Sequence, residues 1–143
     1  MGTARMLDDA SMERMLSAIK QRSRYPNRDI VIMYLGCYGG LRIAEICRLE
    51  WKDIQDPTGN ITDQIVISNR ISKGKSGRLI PLHPRIREAL ENLQRAATPR
   101  TSNYIITTER SDTANIVSMG NHLKRISKRA GLVGISSHSN RKR

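Results

Sequence analysis

Apolar residues recur at helical spacing in the first fifty residues of the chain, between short polar and glycine-containing stretches. Asp8 is predicted to cap a first helix, and the polar stretch 21–27 is predicted to end it. The inward face of that helix carries four apolar residues, Met12, Met15, Leu16 and Ile19. The apolar run 30–35 predicts a buried second helix, and Gly39-Gly40 ends it, because glycine adopts the left-handed conformation without a Cβ clash.

After Trp51 the pattern changes to short runs that indicate strands, and Ile65-Val66-Ile67 is rich in β-branched residues. Three strands are predicted, near residues 52–55, 61–68 and 78–82. Turns at 56–60 and 72–77 join them, because the first stretch contains proline, glycine and asparagine and the second contains glycine, serine and lysine. We therefore expect a small three-stranded antiparallel sheet.

Helical spacing returns in the second half of the chain. Pro84 suits the first position of a helix with Ile86, Leu90 and Leu93 on one face. Segment 104–107 is weighed as a short extended piece, and 108–117 as a loop. Ser118 is predicted to cap a basic helix that Gly131 closes, with Met119, Leu123 and Ile126 facing inward. The pattern predicts an α+β fold, mainly helical, in a single domain spanning residues 1–143.

The net charge of +12 is unevenly distributed along the chain. Residues 1–69 contain nine basic and nine acidic residues, whereas residues 70–143 contain sixteen basic and four acidic ones, so the second half holds the whole excess. Such an asymmetry indicates a nucleic-acid partner, with a solvated basic surface as the alternative. With no phenylalanine and one tryptophan, the chain lacks aromatic platforms for unpaired bases, which favours double-stranded DNA.

Other classes of protein are disfavoured by what the sequence contains. No apolar run is long enough to span a bilayer and the N-terminus has no signal-peptide pattern, so we expect a soluble intracellular protein without a membrane partner. Cys37 and Cys47 lie in apolar helical stretches and match no zinc spacing. We expect reduced cysteines, no metal site and no cofactor.

The stretch 34–51 places Arg42 at the start of an otherwise apolar helix. Glu45 follows three residues later and reaches the same helix face. An arginine at a helix start, with free backbone amides beside it, is suited to grip a phosphate with two nitrogens while the glutamate holds the guanidinium. The alternative is a surface ion pair between the two side chains.

Three separated stretches, GGLRIAEICRL, SKGKSGRLIPL and SHSNRKR, resemble in order and spacing the three boxes of the tyrosine recombinase family, which includes the phage integrases. The resemblance implies the catalytic residues Arg42, Lys73, His138 and Arg141, with Glu45 in support. Lys75 is the less favoured alternative to Lys73. The sequence of the third box departs from the family's usual Leu-Arg-His, since Asn140 precedes its arginine.

The resemblance also implies roles for these residues. Arg42 and Arg141 stabilise negative charge on the non-bridging phosphate oxygens without a metal ion. Lys73 protonates the leaving 5′ oxygen, His138 assists as a hydrogen-bond donor or acid–base partner, and Glu45 orients Arg42. In the complete protein this chemistry cuts and rejoins DNA through a 3′-phosphotyrosyl intermediate, with other recombinase protomers as partners, in a prokaryotic cytoplasm at the nucleoid.

The nucleophile departs from the family pattern. The family's tyrosine lies beyond the third box, whereas the tyrosines of this chain all lie upstream of it, at Tyr25, Tyr34, Tyr38 and Tyr104. We therefore expect residues 1–143 to be the front part of a catalytic domain, without the family's preceding DNA-clamping domain, and inactive alone.

Further basic residues are predicted to contact DNA: Lys75, Arg78, Lys124, Arg125, Lys128 and Arg129. The main alternative function is a winged helix-turn-helix regulator, whose order of helix, turn, helix and hairpin also fits the pattern. Against it, the helix after Gly40 offers few polar side chains that could reach base edges. Charge alone supports a third interpretation, an RNA-binding protein.

Overall fold

The computed structural model describes residues 8–72, 77–96, 103–107 and 116–131. The helices are α1 (Asp9–Arg22), α2 (Pro26–Cys37), α3 (Ile43–Arg48), α4 (Asn69–Ser72), α5 (Pro84–Ala96) and α6 (Ile116–Arg129), and a 3₁₀ turn spans Trp51–Asp53. The strands are β1 (Gln64–Ile67) and β2 (Arg78–Pro81). Their order confirms a mainly helical α+β fold.

Helix α2 is the centre of the fold and packs against α1, α3 and α5. The Asp8 side chain caps α1 as predicted, since Oδ1 accepts the Ser11 N–H at 2.7 Å. The predicted glycine stop after α2 is also confirmed, because Gly40 has a φ of 72°. The chain turns so tightly before α3 that a Cβ added at Gly39 would lie 2.7 Å from the Leu35 carbonyl oxygen, which only glycine permits.

The sheet has two strands among the described residues, so the prediction of three was wrong. Strands β1 and β2 pair antiparallel, with Ile65 opposite Ile80 and Ile67 opposite Arg78. Ile65 and Ile67 face the core, while Val66 and Leu79 are exposed.

The predicted strand at 52–55 is a 3₁₀ turn instead. Asp53 Oδ2 accepts the Glu50 N–H at 2.8 Å, which closes the turn locally. Arg70 reaches the carboxylates of Glu50 at 3.0 Å and Asp53 at 2.8 Å and holds the turn from outside. Only an isolated bridge between Gln55 and Ile61 pairs here. Local capping and a distant ion pair therefore favour the 3₁₀ turn over the predicted strand.

The strand predicted at 61–68 is shorter at both ends, since β1 spans Gln64–Ile67 and α4 begins at Asn69. The amides of Ile71 and Ser72 both donate to the Ser68 carbonyl at 3.0 Å and form one helical turn. Ile71 is fully buried there, so burial of one apolar side chain favours the turn over continued strand.

The last helix begins two residues before the predicted cap Ser118. Ile116 packs against the core on the same face as Met119 and Leu123, so its burial extends the helix backwards. Gly131 ends this helix with a φ of 78°, as predicted. Pro84 is the first residue of α5, also as predicted.

Segment 103–107 closes the fold between α2 and the 3₁₀ turn. Tyr104 forms an isolated antiparallel bridge with Glu50, and Ile105 and Ile106 are buried. The Arg28 guanidinium donates to the Thr107 carbonyl at 3.3 Å. The short extended piece weighed from the sequence is thus one bridge, held by backbone hydrogen bonds and by the burial of Ile105 and Ile106.

Candidate DNA-binding and catalytic site

Arg42 is the residue immediately before α3 and follows the tight Gly39-Gly40 turn. Its backbone is extended, with φ of −78° and ψ of 154°, and its carbonyl accepts the Ile46 N–H at 2.9 Å. Its side chain is half-buried. The turn and the helix start together fix the direction from which the guanidinium leaves the backbone.

Glu45 supports Arg42 through the main chain. Its carboxylate is buried, and Oε1 accepts the Arg42 N–H at 3.0 Å. The Arg42 N–H, one of the backbone amides expected to be free for a phosphate, therefore already donates to Glu45. This hydrogen bond is one of the two that form a capping box, namely the one in which a side chain three residues into the helix accepts the N–H of the cap residue.

Glu45 forms a two-pronged ion pair with the guanidinium of Arg78, the first residue of β2. Arg78 donates from one terminal nitrogen to Oε1 at 3.0 Å and from the other to Oε2 at 3.2 Å. Two parallel charge-assisted hydrogen bonds of this kind are strong and directional. The sequence predicted that Glu45 pairs with Arg42, but the longer-range partner Arg78 carries this ion pair.

A second set of contacts holds the other end of α3. The Arg48 guanidinium donates to the Ile71 carbonyl at 2.8 Å, and the Arg70 guanidinium donates to the Arg48 carbonyl at 3.0 Å. Helix α3 is thus tied to β2 through Glu45 and to α4 through Arg48.

A basic surface lies on α6, which packs against α1 and α3. The four cations predicted to face outward are all exposed: Lys124, Arg125, Lys128 and Arg129. We call these four residues the α6 basic face. Met119 and Ile126 are buried on the opposite side, which confirms the predicted orientation of the helix.

Asp29 is a buried charged residue whose contact with α6 the sequence analysis missed. It is completely buried, and its Oδ2 lies 2.8 Å from Nε2 of His122 on α6. The available signal was a lone aspartate at the edge of the apolar run 30–35. A buried carboxylate in such a place needs partners, although the sequence does not say which.

Comparison with known proteins decides the family. The sequence model described as "Phage integrase family" matches residues 5–143. The chain belongs to the phage integrase family. The predicted resemblance to tyrosine recombinases is thereby confirmed, and it holds over nearly the whole chain.

Solved structures of integrases and recombinases share the fold. A structure of XerA recombinase aligns with a TM-score of 0.71 at 19% identity, covering 94% of this chain and 46% of that one. Lambda integrase (residues 75-356) bound to DNA aligns with a TM-score of 0.69 at 18% identity, covering 94% and 47%. The Tn1549 transposon integrase (aa 82-397) in complex with circular intermediate DNA gives 0.63 at 21% identity, covering 97% and 50%.

The phage integrase chain described here therefore spans about half the length of the solved structures it matches. Identities this low establish a shared fold. No curated protein matches the sequence significantly.

Four predicted site residues of this integrase-family chain lie outside the described residues: Lys73, Lys75, His138 and Arg141. Their assignments stay predictions. Glu45 contacts Arg42 through the Arg42 main-chain N–H and pairs with the Arg78 guanidinium, and the catalytic roles of Arg42 and Glu45 stay predictions as well.

Two kinds of feature are absent from the described part of this integrase-family chain. None of its helices is long and apolar enough to cross a membrane. Nor does that part contain a group of three or more histidine, cysteine or acidic side chains placed to hold a metal ion.

Proposed function

We propose that residues 1–143 form a single, partial catalytic domain of a site-specific tyrosine recombinase of the phage integrase type, which binds double-stranded DNA. The observation that carries the proposal is the position of Arg42, fixed by Glu45 at the start of α3, which packs against α6, the helix that carries the exposed basic face. Membership of the integrase family supports the same activity.

Arg42 has the chemistry that a phosphodiester site needs. A guanidinium presents a planar set of donors that matches two phosphate oxygens, and it stays charged at any physiological pH. Donors fixed before the reaction stabilise the charge that develops on those oxygens. In this proposal Arg141 is the second such donor, and neither a metal nor a cofactor is required.

The remaining steps follow the family pattern. Lys73, or Lys75 in its place, gives a proton to the leaving 5′ oxygen, and His138 assists by hydrogen bonding or proton transfer. The bond to phosphorus that forms in the complete protein comes from a tyrosine oxygen, giving a 3′-phosphotyrosyl intermediate. None of the four tyrosines of this chain is assigned that role.

The α6 basic face supplies contacts to the DNA backbone. Cations that neutralise phosphates release condensed counterions, which drives association without reading the sequence. We propose double-stranded DNA as the partner, together with further recombinase protomers in the DNA-bound assembly of the full-length protein. The cellular site of action would be the prokaryotic cytoplasm, at the nucleoid.

The burial of α3 disfavours a winged helix-turn-helix regulator. A recognition helix must present several side chains to base edges in the major groove. No residue of α3, all of which the structure describes, is exposed, and Ile43, Ile46 and Cys47 are buried. Helix α3 is therefore a core helix that holds Arg42 at its start.

The experiment that separates these functions is binding of the chain to several unrelated DNA duplexes, before and after Arg42→Gln. A phosphate contact predicts a similar loss of affinity on every duplex. Lys52→Gln, which removes an exposed charge from the 3₁₀ turn, is the control and should change affinity little. A loss confined to one preferred duplex would favour the regulator, and unchanged affinity would remove Arg42 from the site.

A further inference from the structure

Helix α3 is too short to hold Arg42 in place by itself. It has six residues, and isolated helices of that length are unstable, because the free energy lost in nucleating a helix exceeds the stabilisation from its few hydrogen bonds. Tertiary contacts must therefore set its position. The most directional of the contacts near Arg42 is the two-pronged pair of Glu45 with Arg78.

One oxygen of Glu45 links the two arginines. Oε1 accepts the main-chain N–H of Arg42 at 3.0 Å and a guanidinium N–H of Arg78 at 3.0 Å. The Glu45 side chain is 7% exposed, so water cannot readily replace a missing donor. Removal of the Arg78 charge would favour a different Glu45 rotamer or a protonated carboxyl, and either change weakens the bond to Arg42.

The backbone that carries Arg78 is itself fixed. Arg78 pairs with Ile67 across the sheet. A Cβ on Gly77 would lie 2.8 Å from the Ile67 carbonyl oxygen, so β2 enters the sheet by a close approach that only glycine permits. The guanidinium therefore reaches Glu45 from a strand whose register is set.

We infer that Arg78 is a positioning residue for Arg42, acting through Glu45, and not a contact to the DNA backbone as the sequence predicted. Both terminal nitrogens of its guanidinium donate to the Glu45 carboxylate. This inference rests on the proposed function, because it assigns Arg42 a phosphate to hold.

The first test is a double-mutant cycle on duplex DNA affinity, using Arg42→Gln, Arg78→Gln and the double variant of the 143-residue chain. Arg78→Gln should weaken binding by about tenfold, and it should cause no further loss once Arg42 is already glutamine. If Arg78 touches a phosphate directly, the two losses multiply and the inference is wrong.

Arg87→Gln is the matched control for this cycle. Arg87 is also a half-buried arginine that ties elements together, since it donates to the Ile61 and Thr62 carbonyls and pairs with Asp63 at 2.7 Å. It lies at the other end of the sheet from Gly77. Its replacement should leave the effect of Arg42→Gln on DNA affinity unchanged.

The second test needs no DNA and follows hydrogen exchange of the Arg42 amide by NMR. Arg78→Gln should raise that exchange rate by about tenfold or more relative to core amides of α2, whereas Arg87→Gln should not. Arg78→Lys should restore part of the protection, because lysine keeps the charge but not the two-pronged geometry. An unchanged Arg42 amide in Arg78→Gln would overturn the inference.

The two tests separate the inference from the proposed function. If the unmutated chain fails to bind any duplex, the proposed function is wrong, whatever the exchange data show. If the unmutated chain binds DNA but Arg78→Gln leaves the exchange rate of the Arg42 amide unchanged, the proposed function is retained and the positioning role of Arg78 is wrong.

Discussion

Nε2 of His122 lies 2.8 Å from Oδ2 of Asp29, and this contact joins α6 to α2. The Ser23 hydroxyl donates to the same carboxylate at 2.5 Å, and Arg28 pairs with it at 2.9 Å. Burial alone raises the pKa of Asp29, but the hydrogen bond from His122, the charge of Arg28 and the Ser23 hydroxyl outweigh burial and hold the pKa below the usual 3.8. The contact therefore helps to seat the helix that carries the α6 basic face.

Replacing His122 should destabilise the fold. His122→Ala removes a hydrogen bond to a buried carboxylate, so the free energy of unfolding should fall by about 1.5 to 3 kcal/mol. Urea denaturation followed by circular dichroism measures this. Asn121→Ala, at an exposed neighbouring position of α6, is the control and should stay within about 0.5 kcal/mol of the unmutated chain. Equal stability of both variants would show that Asp29 does not need His122.

The stability contributed by Asp29 should depend on pH in one direction. Because its pKa is lowered in the folded state, its contribution is present above the unfolded value near 3.8 and is lost as the pH falls through the folded value. The difference in unfolding free energy between the unmutated chain and Asp29→Asn should be largest above about pH 5 and shrink toward pH 3. Denaturation curves at a series of pH values test this, and a gap that widens in acid would contradict it.

The two cysteines should react at different rates in the folded protein. Burial raises the pKa of the Cys47 thiol to about 11, and Cys47 is buried in α3, whereas Cys37 is half-buried at the end of α2. The thiolate is the reactive form, so iodoacetamide at about pH 8 should modify Cys37 well before Cys47. Peptide mass mapping reads the order, and the difference should disappear in denaturant. Faster labelling of Cys47 would mean that α3 is less tightly packed than described.

No tyrosine of the 143-residue chain should form a covalent adduct with DNA. Tyr34 is buried and packs edge-on against Tyr38, whose ring stacks on His83 at 4.2 Å. The Tyr25 ring lies under Arg28 at 4.8 Å, and Tyr104 is part of the bridge to Glu50. The rings of Tyr25, Tyr34 and Tyr38 thus already have structural contacts, and the backbone of Tyr104 is paired with that of Glu50.

The measurement for this prediction uses a nicked suicide duplex and denaturing electrophoresis. A protein–DNA band that survives denaturation and disappears when one of the four tyrosines becomes phenylalanine would contradict the prediction. Such a band would identify a nucleophile that the family pattern does not supply.

The helical part of the fold could be predicted because its signals are local. Asp8 caps α1 through an amide three residues away, and the apolar run 30–35 lies inside α2. The start of α3 at Arg42 followed from the glycine pair before it. The spacing of Met119, Leu123 and Ile126 likewise gave the correct inward face of α6.

The rest could not be predicted because its partners are distant in the sequence. Arg70 pairs with Asp53 and helps to hold the 3₁₀ turn that replaces the expected strand at 52–55, and no periodicity shows this pairing. Arg78 was predicted to contact DNA, and its pairing with Glu45 appears only in the folded chain because the two residues are far apart in the sequence. The same holds for the contact of His122 with Asp29.

The salt dependence of duplex DNA binding tests the central claim most directly. The unmutated chain should bind much more weakly as salt rises. Glutamine at all four positions of the α6 basic face should flatten the slope of log affinity against log salt by roughly 0.9 for each phosphate that the variant no longer neutralises. The matched control carries glutamine at four exposed cations elsewhere, Arg14, Lys20, Arg22 and Lys52. It has the same net charge and should keep most of the slope. A flat affinity for the unmutated chain, or equal slopes for the two variants, would contradict a DNA-binding integrase-type domain that uses this face.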